Sequence, residues 1–121
     1  MIVLVSKDLF FVPVFKSAAR KLHQEVMLVS HVEDEKLERI DPTDVVAVVV
    51  DLSAISADGL DEAAHHLGEI CPGAVRAAFG SHVHTGRLSL ARSAGFEPVL
   101  TRGQIDNRLP RLMQEWVQSR A

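Results

Sequence analysis

The feature that most narrows what this chain can become is the apolar run Val45 to Val50, five of whose six residues are β-branched. A run that is apolar at every position, rather than at alternate ones, suits a strand covered on both faces. Such strands lie at the centre of a parallel sheet between layers of helix. The run stops abruptly at Asp51. A carboxylate is therefore expected at the strand's C-terminal end, on the rim of an open α/β sheet where ligands and catalytic groups collect.

The rest of the chain alternates as such a centre requires. Ile2 to Val5 predicts a first strand, Val26 to Val29 a second, Ala74 to Phe79 a fourth and Pro98 to Leu100 a short fifth. The fifth is expected at an edge, because Pro98 cannot donate to a ladder. Phe11, Phe15, Ala18 and Leu22 recur at helical spacing, with Pro13 in the first turn and Lys16, Arg20 and Lys21 left to solvent. Glu33 to Ile40 predicts a short charged second helix that ends before Asp41-Pro42. Leu60, Ala63, Ala64, Leu67 and Ile70 predict a third, closed by Cys71-Pro72-Gly73. Gly80 to His84 reads as a loop, and Thr85 as the cap of a fourth helix presenting Leu88, Ala91 and Ala94 and closed by Gly95. Asp106 or Asn107 is expected to cap the last helix, whose apolar face is Leu109, Leu112, Met113 and Trp116. Five strands alternating with five helices imply one α/β domain over residues 1–121: a doubly wound five-stranded parallel sheet with helices on both faces.

Composition removes several classes of function. A net charge of −3 argues against a broad nucleic-acid or membrane surface. The absence of Tyr and the single Trp weaken any base-stacking role. One cysteine, Cys71, excludes an intrachain disulfide and reads as a buried structural thiol. No apolar run approaches the roughly 18 residues of a membrane span, and Lys7-Asp8 interrupt the N-terminal stretch where a secretory signal would continue. A cytoplasmic location is expected.

Taken together, these residues resemble the receiver domains of two-component response regulators over essentially the full length. Pro42-Thr43-Asp44, the apolar run and Asp51 resemble the family's third strand and its phospho-accepting aspartate. Leu52 and Asp58-Gly59 stand where the family often has D-L-x-M-P-x-x-D-G, and Ala94-Gly95-Phe96 before Val99-Leu100 resembles the segment leading into strand five. The resemblance implies a flavodoxin-like sheet of order 2-1-3-4-5. It also locates departures. The acidic pair that helps receivers hold Mg²⁺ at the end of strand one is replaced by Ser6-Lys7, with Asp8 one place further on. The Thr or Ser expected at the end of strand four falls on Gly80, with Ser81 beside it, and the invariant lysine of strand five is matched by Arg102-Gly103, or by Thr101 if the register slips.

Phosphoryl transfer to a carboxylate requires Mg²⁺ and a nearby cation to stabilise the developing charge. Asp51 and Asp8 would supply the minimum of oxygen ligands, but Lys7 stands where an anion is wanted. Its ammonium is expected to pair with Asp51 directly. At an effective dielectric of about 20, such a pair 4 Å apart interacts by roughly 4 kcal/mol before desolvation. Arg102 offers a planar fork suited to carboxylate or phosphate. His82 and His84 share the rim loop and, with Asp8 and Asp51, form the alternative metal set. His65-His66 reads as helix surface, and His23 and His31 have no nameable partner. Gly80-Ser81 is a weak anion signal, and neither G-x-G-x-x-G nor a P-loop occurs.

The expected function is a degenerate receiver-like signalling or protein-interaction module that is not an enzyme, with no cofactor. The candidate pocket comprises Ser6, Lys7, Asp8, Asp51, Gly80, Ser81 and Arg102. Two alternatives stay open. One is a working stand-alone receiver, Mg²⁺-dependent and phosphorylated on Asp51. The other is a small anion- or metal-binding protein using the pocket of Asp51, Ser81, His82 and Arg102. Receivers commonly dimerise or meet partners through helix four, strand five and helix five. Here that segment carries Arg87, Arg92, Arg102, Arg108 and Arg111, a basic side suited to an acidic protein partner or a second copy of the chain.

Overall fold

In the computed structural model, which describes residues 1–120, five strands form one parallel sheet. They are β1 (Ile2–Val5), β2 (Val26–Val29), β3 (Ala47–Asp51), β4 (Val75–Gly80) and β5 (Val99–Thr101). Their spatial order is β2-β1-β3-β4-β5, as the resemblance implies. The helices are α1 (Val12–Arg20), α2 (Glu35–Arg39), α3 (Leu60–Ile70), α4 (Thr85–Ala94) and α5 (Arg102–Gln118).

The unbroken apolar run of β3 has the predicted cause. Successive strand residues point to opposite faces, and both faces are covered. Val48 and Val50, with Val3 and Val5 of β1, pack against Leu37 of α2, Leu67 of α3 and Leu88 of α4. Ala47 and Val49, with Ile2 and Leu4, pack against Phe15 of α1 and Leu109, Met113 and Trp116 of α5. Phe79 of β4 meets Phe11 and Phe15 at ring separations of 5.2 and 6.3 Å, the first pair edge to face. Val45 and Val46 are buried as well, although the regular strand begins at Ala47.

Three local expectations are corrected. The last helix starts at Arg102, directly after β5, rather than at Asp106 or Asn107. A capping box sets this start: Thr101 stands at the N-cap, and Oε1 of Gln104 accepts from its N–H at 2.9 Å. The signal was the spacing Thr101-x-x-Gln104. In α4 the N-cap is His84, without a side-chain cap, and Thr85 is already helical. Gly80 is the last residue of β4, not the first of a loop. Gly95 closes α4 at φ +109°, a left-handed geometry that glycine adopts without a Cβ penalty. Among the described residues, no helix is long and apolar enough to cross a membrane.

Cys71 is buried at the end of α3, and that burial pushes its thiol pKa up. The native thiol is accordingly a poor nucleophile, since the thiolate is the reactive form. Iodoacetamide is expected to leave Cys71 unmodified in the native protein and to alkylate it fully in concentrated guanidinium, as read by intact mass. Rapid native alkylation would contradict this placement.

Candidate functional site

Parallel register brings the candidate residues to one rim. Val5 of β1 is level with Val50 of β3, Asp51 with Phe79 of β4, and Gly80 with Thr101 of β5. One residue beyond these partners, the chain delivers Ser6, Ser81 and Arg102 around the end of β3.

Asp51 is completely buried, and Ser6 nearly so at 3% exposure. The Ser6 hydroxyl donates to Oδ2 of Asp51 at 2.9 Å and accepts from the Asp8 N–H at 3.1 Å. On the other side, Oδ1 accepts from the Ser53 N–H at 3.0 Å and the Ser53 hydroxyl at 2.8 Å. Nη2 of Arg102 lies 3.6 Å from the same oxygen. Asp51 thus caps the 3₁₀ turn Leu52–Ala54 that leads the chain away from β3. Both oxygens are engaged, and the charge is paired. A carboxylate so deeply buried tolerates nothing less.

The cation is Arg102, and the expected pairing of Asp51 with Lys7 is not formed. Lys7 is exposed and makes no ion pair with the described residues. At the end of β1 the inward position belongs to Ser6, and the next residue points away. Arg102 is 40% exposed along its side chain, with its guanidinium carbon 5.9 Å from the Phe11 ring centroid. Its Nε is sealed from solvent without a hydrogen-bond partner.

The alternative metal set does not assemble. Asp8 is exposed, and its carboxylate accepts from the Phe10 N–H at 2.9 Å, closing its own turn. His82 and His84 are exposed. Among the described residues, no group of three or more His, Cys, Asp or Glu is arranged to hold a metal ion. His65 pairs with Glu69 at 2.9 Å on the helix surface, whereas His66 is only half-buried and its Nε2 is sealed without a partner.

Gly80 explains a departure at the rim. A Cβ there would lie 3.2 Å from Cδ1 of Leu52 and 3.4 Å from Cδ2 of Leu88. Those leucines fill the volume that a Thr or Ser side chain at Gly80 would need. Beside them opens a cavity of about 240 Å³ lined by Ser53, Ser81, His84, Arg87 and Arg102 as well as Leu52, Gly80 and Leu88. Ser53 and Arg87 had not been singled out for this site. The sequence signal for Ser53 was Asp51-x-Ser53, the spacing at which an aspartate accepts from the backbone two residues on. Nothing local marked Arg87, whose Nη1 reaches Leu52 O at 3.3 Å across 35 residues.

Solved structures share this architecture. A response regulator from Thermotoga maritima aligns with a TM-score of 0.75 at 15% identity, covering 97% of this chain and 96% of that one. This is the receiver fold. The receiver domain of a sensor histidine kinase from Pseudomonas aeruginosa, solved with magnesium coordinated in its active-site cleft, aligns at 0.68 and 19% identity over 97% and 96%. A pilus assembly-related protein from Burkholderia pseudomallei aligns at 0.72 and 15% identity over 97% and 88%. No protein-family model and no curated protein matches the sequence.

The Mg²⁺ that the receiver fold implies does not fit the residues present. Mg²⁺ asks for near-octahedral oxygen ligands, usually including one or two carboxylates. Here both oxygens of Asp51 are occupied by protein donors, the Asp8 carboxylate is spent on its own turn, and the acidic pair is Ser6-Lys7.

Three substitutions at two positions test this arrangement by urea denaturation. Asp51→Ala leaves the Ser6, Ser53 and Arg102 donors without their acceptor and is expected to lose about 3 kcal/mol, whereas Asp51→Asn keeps an acceptor and loses about 1. Gly80→Thr forces Leu52 and Leu88 aside and is expected to lose about 1–3 kcal/mol. Wild-type stability in Asp51→Ala would show that the carboxylate is not structural.

Proposed function

We propose that this chain is a degenerate receiver: a non-enzymatic signalling or interaction module in which the phospho-acceptor position has become a structural carboxylate. One observation carries the reading. Asp51 has no exposed surface, and both its oxygens are taken by Ser6, Ser53 and Arg102. A nucleophilic carboxylate must present an oxygen to the phosphoryl donor with a metal beside it. This one would first have to give up the hydrogen bonds that cap its own loop.

The output of such a module is its surface. On α4 and α5, Arg92, Arg108 and Arg111 are exposed and Leu90 is 50% exposed. Arg111 is paired with Glu115 at 3.8 Å, which leaves Arg92 on α4 and Arg108 on α5 as the exposed cations without an ion pair among the described residues, suited to steer an acidic protein partner.

Acetyl phosphate with Mg²⁺ is expected to leave the intact mass unchanged, and beryllofluoride with Mg²⁺ to leave the amide NMR spectrum unchanged. A phosphoryl adduct that Asp51→Asn abolishes would restore the alternative of a working receiver.

A further inference from the structure

Charge is distributed very unevenly along this chain. Residues 33–75 hold eleven of the sixteen acidic residues and two of the thirteen basic ones, and no Lys or Arg occurs between Arg39 and Arg76. The fold turns this asymmetry of sequence into one of space. That segment supplies α2 and α3, which pack on one face of the sheet, whereas α1 and α5 cover the other. On the acidic side Glu33, Glu35 and Glu69 have local partners in His31, Arg39 and His65. Glu38 of α2, Asp58 in the turn before α3, and Asp61 and Glu62 in its first turn are exposed and form no ion pair with the described residues.

The opposite face carries the complement. Lys16, Arg20 and Lys21 are exposed along α1 and its C-cap, without an ion pair among the described residues, and Val12 to Leu22 contains no acid. Lys16 and Arg20 stand four residues apart, where like charges repel, a repulsion that a docked acidic surface would relieve. They border a groove of about 490 Å³ between the end of α1 and the start of β2, completed by His23, Gln24, Glu25 and Val26, in which Glu25 is the single acid. Helix dipoles favour acids in the first turn of α3 and cations in the last turn of α1. They do not account for Lys16, one turn earlier, or for the segregation of the two signs to opposite faces of one sheet.

We infer that the chain associates head to tail with a second copy of itself, the α2–α3 face of one molecule docking on the α1 face of the next. Charge selects this arrangement over a symmetric dimer. A two-fold contact sets a surface against its own image. Either face used in that way would oppose like charges, which disfavours association. The two faces lie on opposite sides of the sheet, so one pair of molecules cannot make both contacts at once. The contact is therefore heterologous and propagates into an open string. Exposed ion pairs are individually weak and screened by salt, so the string is loose and forms where the chain is concentrated. The inference rests on reading the chain as an interaction module and names a partner for it.

The test is sedimentation velocity on the full chain from micromolar to millimolar concentration, at salt of about 0.01 M and about 1 M, where the Debye length is about 30 Å and about 3 Å. At low salt the weight-average mass is expected to climb with concentration past that of a dimer, and at high salt to stay that of the monomer. Two variants separate the faces: Lys16→Gln/Arg20→Gln/Lys21→Gln and Glu38→Gln/Asp61→Asn/Glu62→Gln. Each alone is expected to associate roughly tenfold more weakly. Mixed in equal amounts, they should form one-to-one pairs and nothing larger, because each retains the face that the other lacks. Net charge alone predicts the reverse for the second variant, which moves toward neutrality and would associate more strongly. All six side chains are exposed, and the salt dependence of the wild type decides the matter even where a variant does not fold. A monomer at every concentration in low salt overturns the inference and leaves the two faces to other proteins. Growth that stops at the dimer, association that survives high salt, or a mixture of variants that does not pair overturns the head-to-tail contact. The two readings fail separately. A phosphoryl adduct on Asp51 defeats the degenerate reading whatever the mass, whereas a monomer with no adduct defeats only the assembly.

Discussion

A carboxylate with no solvent exposure, at the end of the sheet's central strand, is the constraint on which the rim is built. An ion in that position forfeits several kcal/mol of hydration even after the protein relaxes around it. Unless it is surrounded by donors, it takes up a proton or the fold opens. The residues around it meet that demand. Ser6 supplies a donor hydroxyl. Ser53, two residues beyond Asp51, supplies two more from its N–H and hydroxyl. Arg102 supplies the balancing charge, with its guanidinium carbon 5.9 Å from the Phe11 ring centroid.

The substitutions are also linked sterically. Gly80 has no side chain, and the space it vacates is filled by Leu52 and Leu88. A hydroxyl cannot be restored at Gly80 without displacing two leucines from a close-packed layer, and such layers resist even one added carbon. The missing side chain at Gly80 and the apolar wall of Leu52 and Leu88 are thus one feature seen from two sides. The same wall makes the neighbouring cavity amphipathic, with leucines on one side and arginines on the other.

The fold was legible because it rests on periodicity. Ile2–Val5, Val26–Val29 and the Val45–Val50 run lie where the pattern puts them, and two-faced burial of β3 follows from its lack of alternation. The boundaries set by capping were less so. Asp106 and Asn107 looked like caps by residue type, but the reciprocal pair Thr101 and Gln104 determines the start of α5. The site was legible at Asp51, Ser6, Ser81 and Arg102, which are placed by strand ends. It was illegible at Lys7, because one residue of strand alternation decides which of two neighbours faces inward. It was illegible again at Arg87, because its contact with the Leu52 carbonyl depends on how α4 packs and not on any local pattern.

Charge accounts for why the substitutions belong together. In the receiver arrangement to which this chain is similar, an acidic pair and the acceptor aspartate carry three negative charges, which Mg²⁺ and a lysine balance. Here Asp51 carries one, and Arg102 balances it. The local sum is zero either way, but only the first arrangement requires a metal to reach it. Substituting one member alone would break the balance: an acid at Ser6 would add an unpaired charge beside a buried one, and a neutral residue at Arg102 would strand Asp51. Either substitution alone leaves an unpaired buried charge, which costs several kcal/mol. Ser6 and Arg102 are therefore one solution: the hydroxyl donor and the balancing charge that a single buried carboxylate needs.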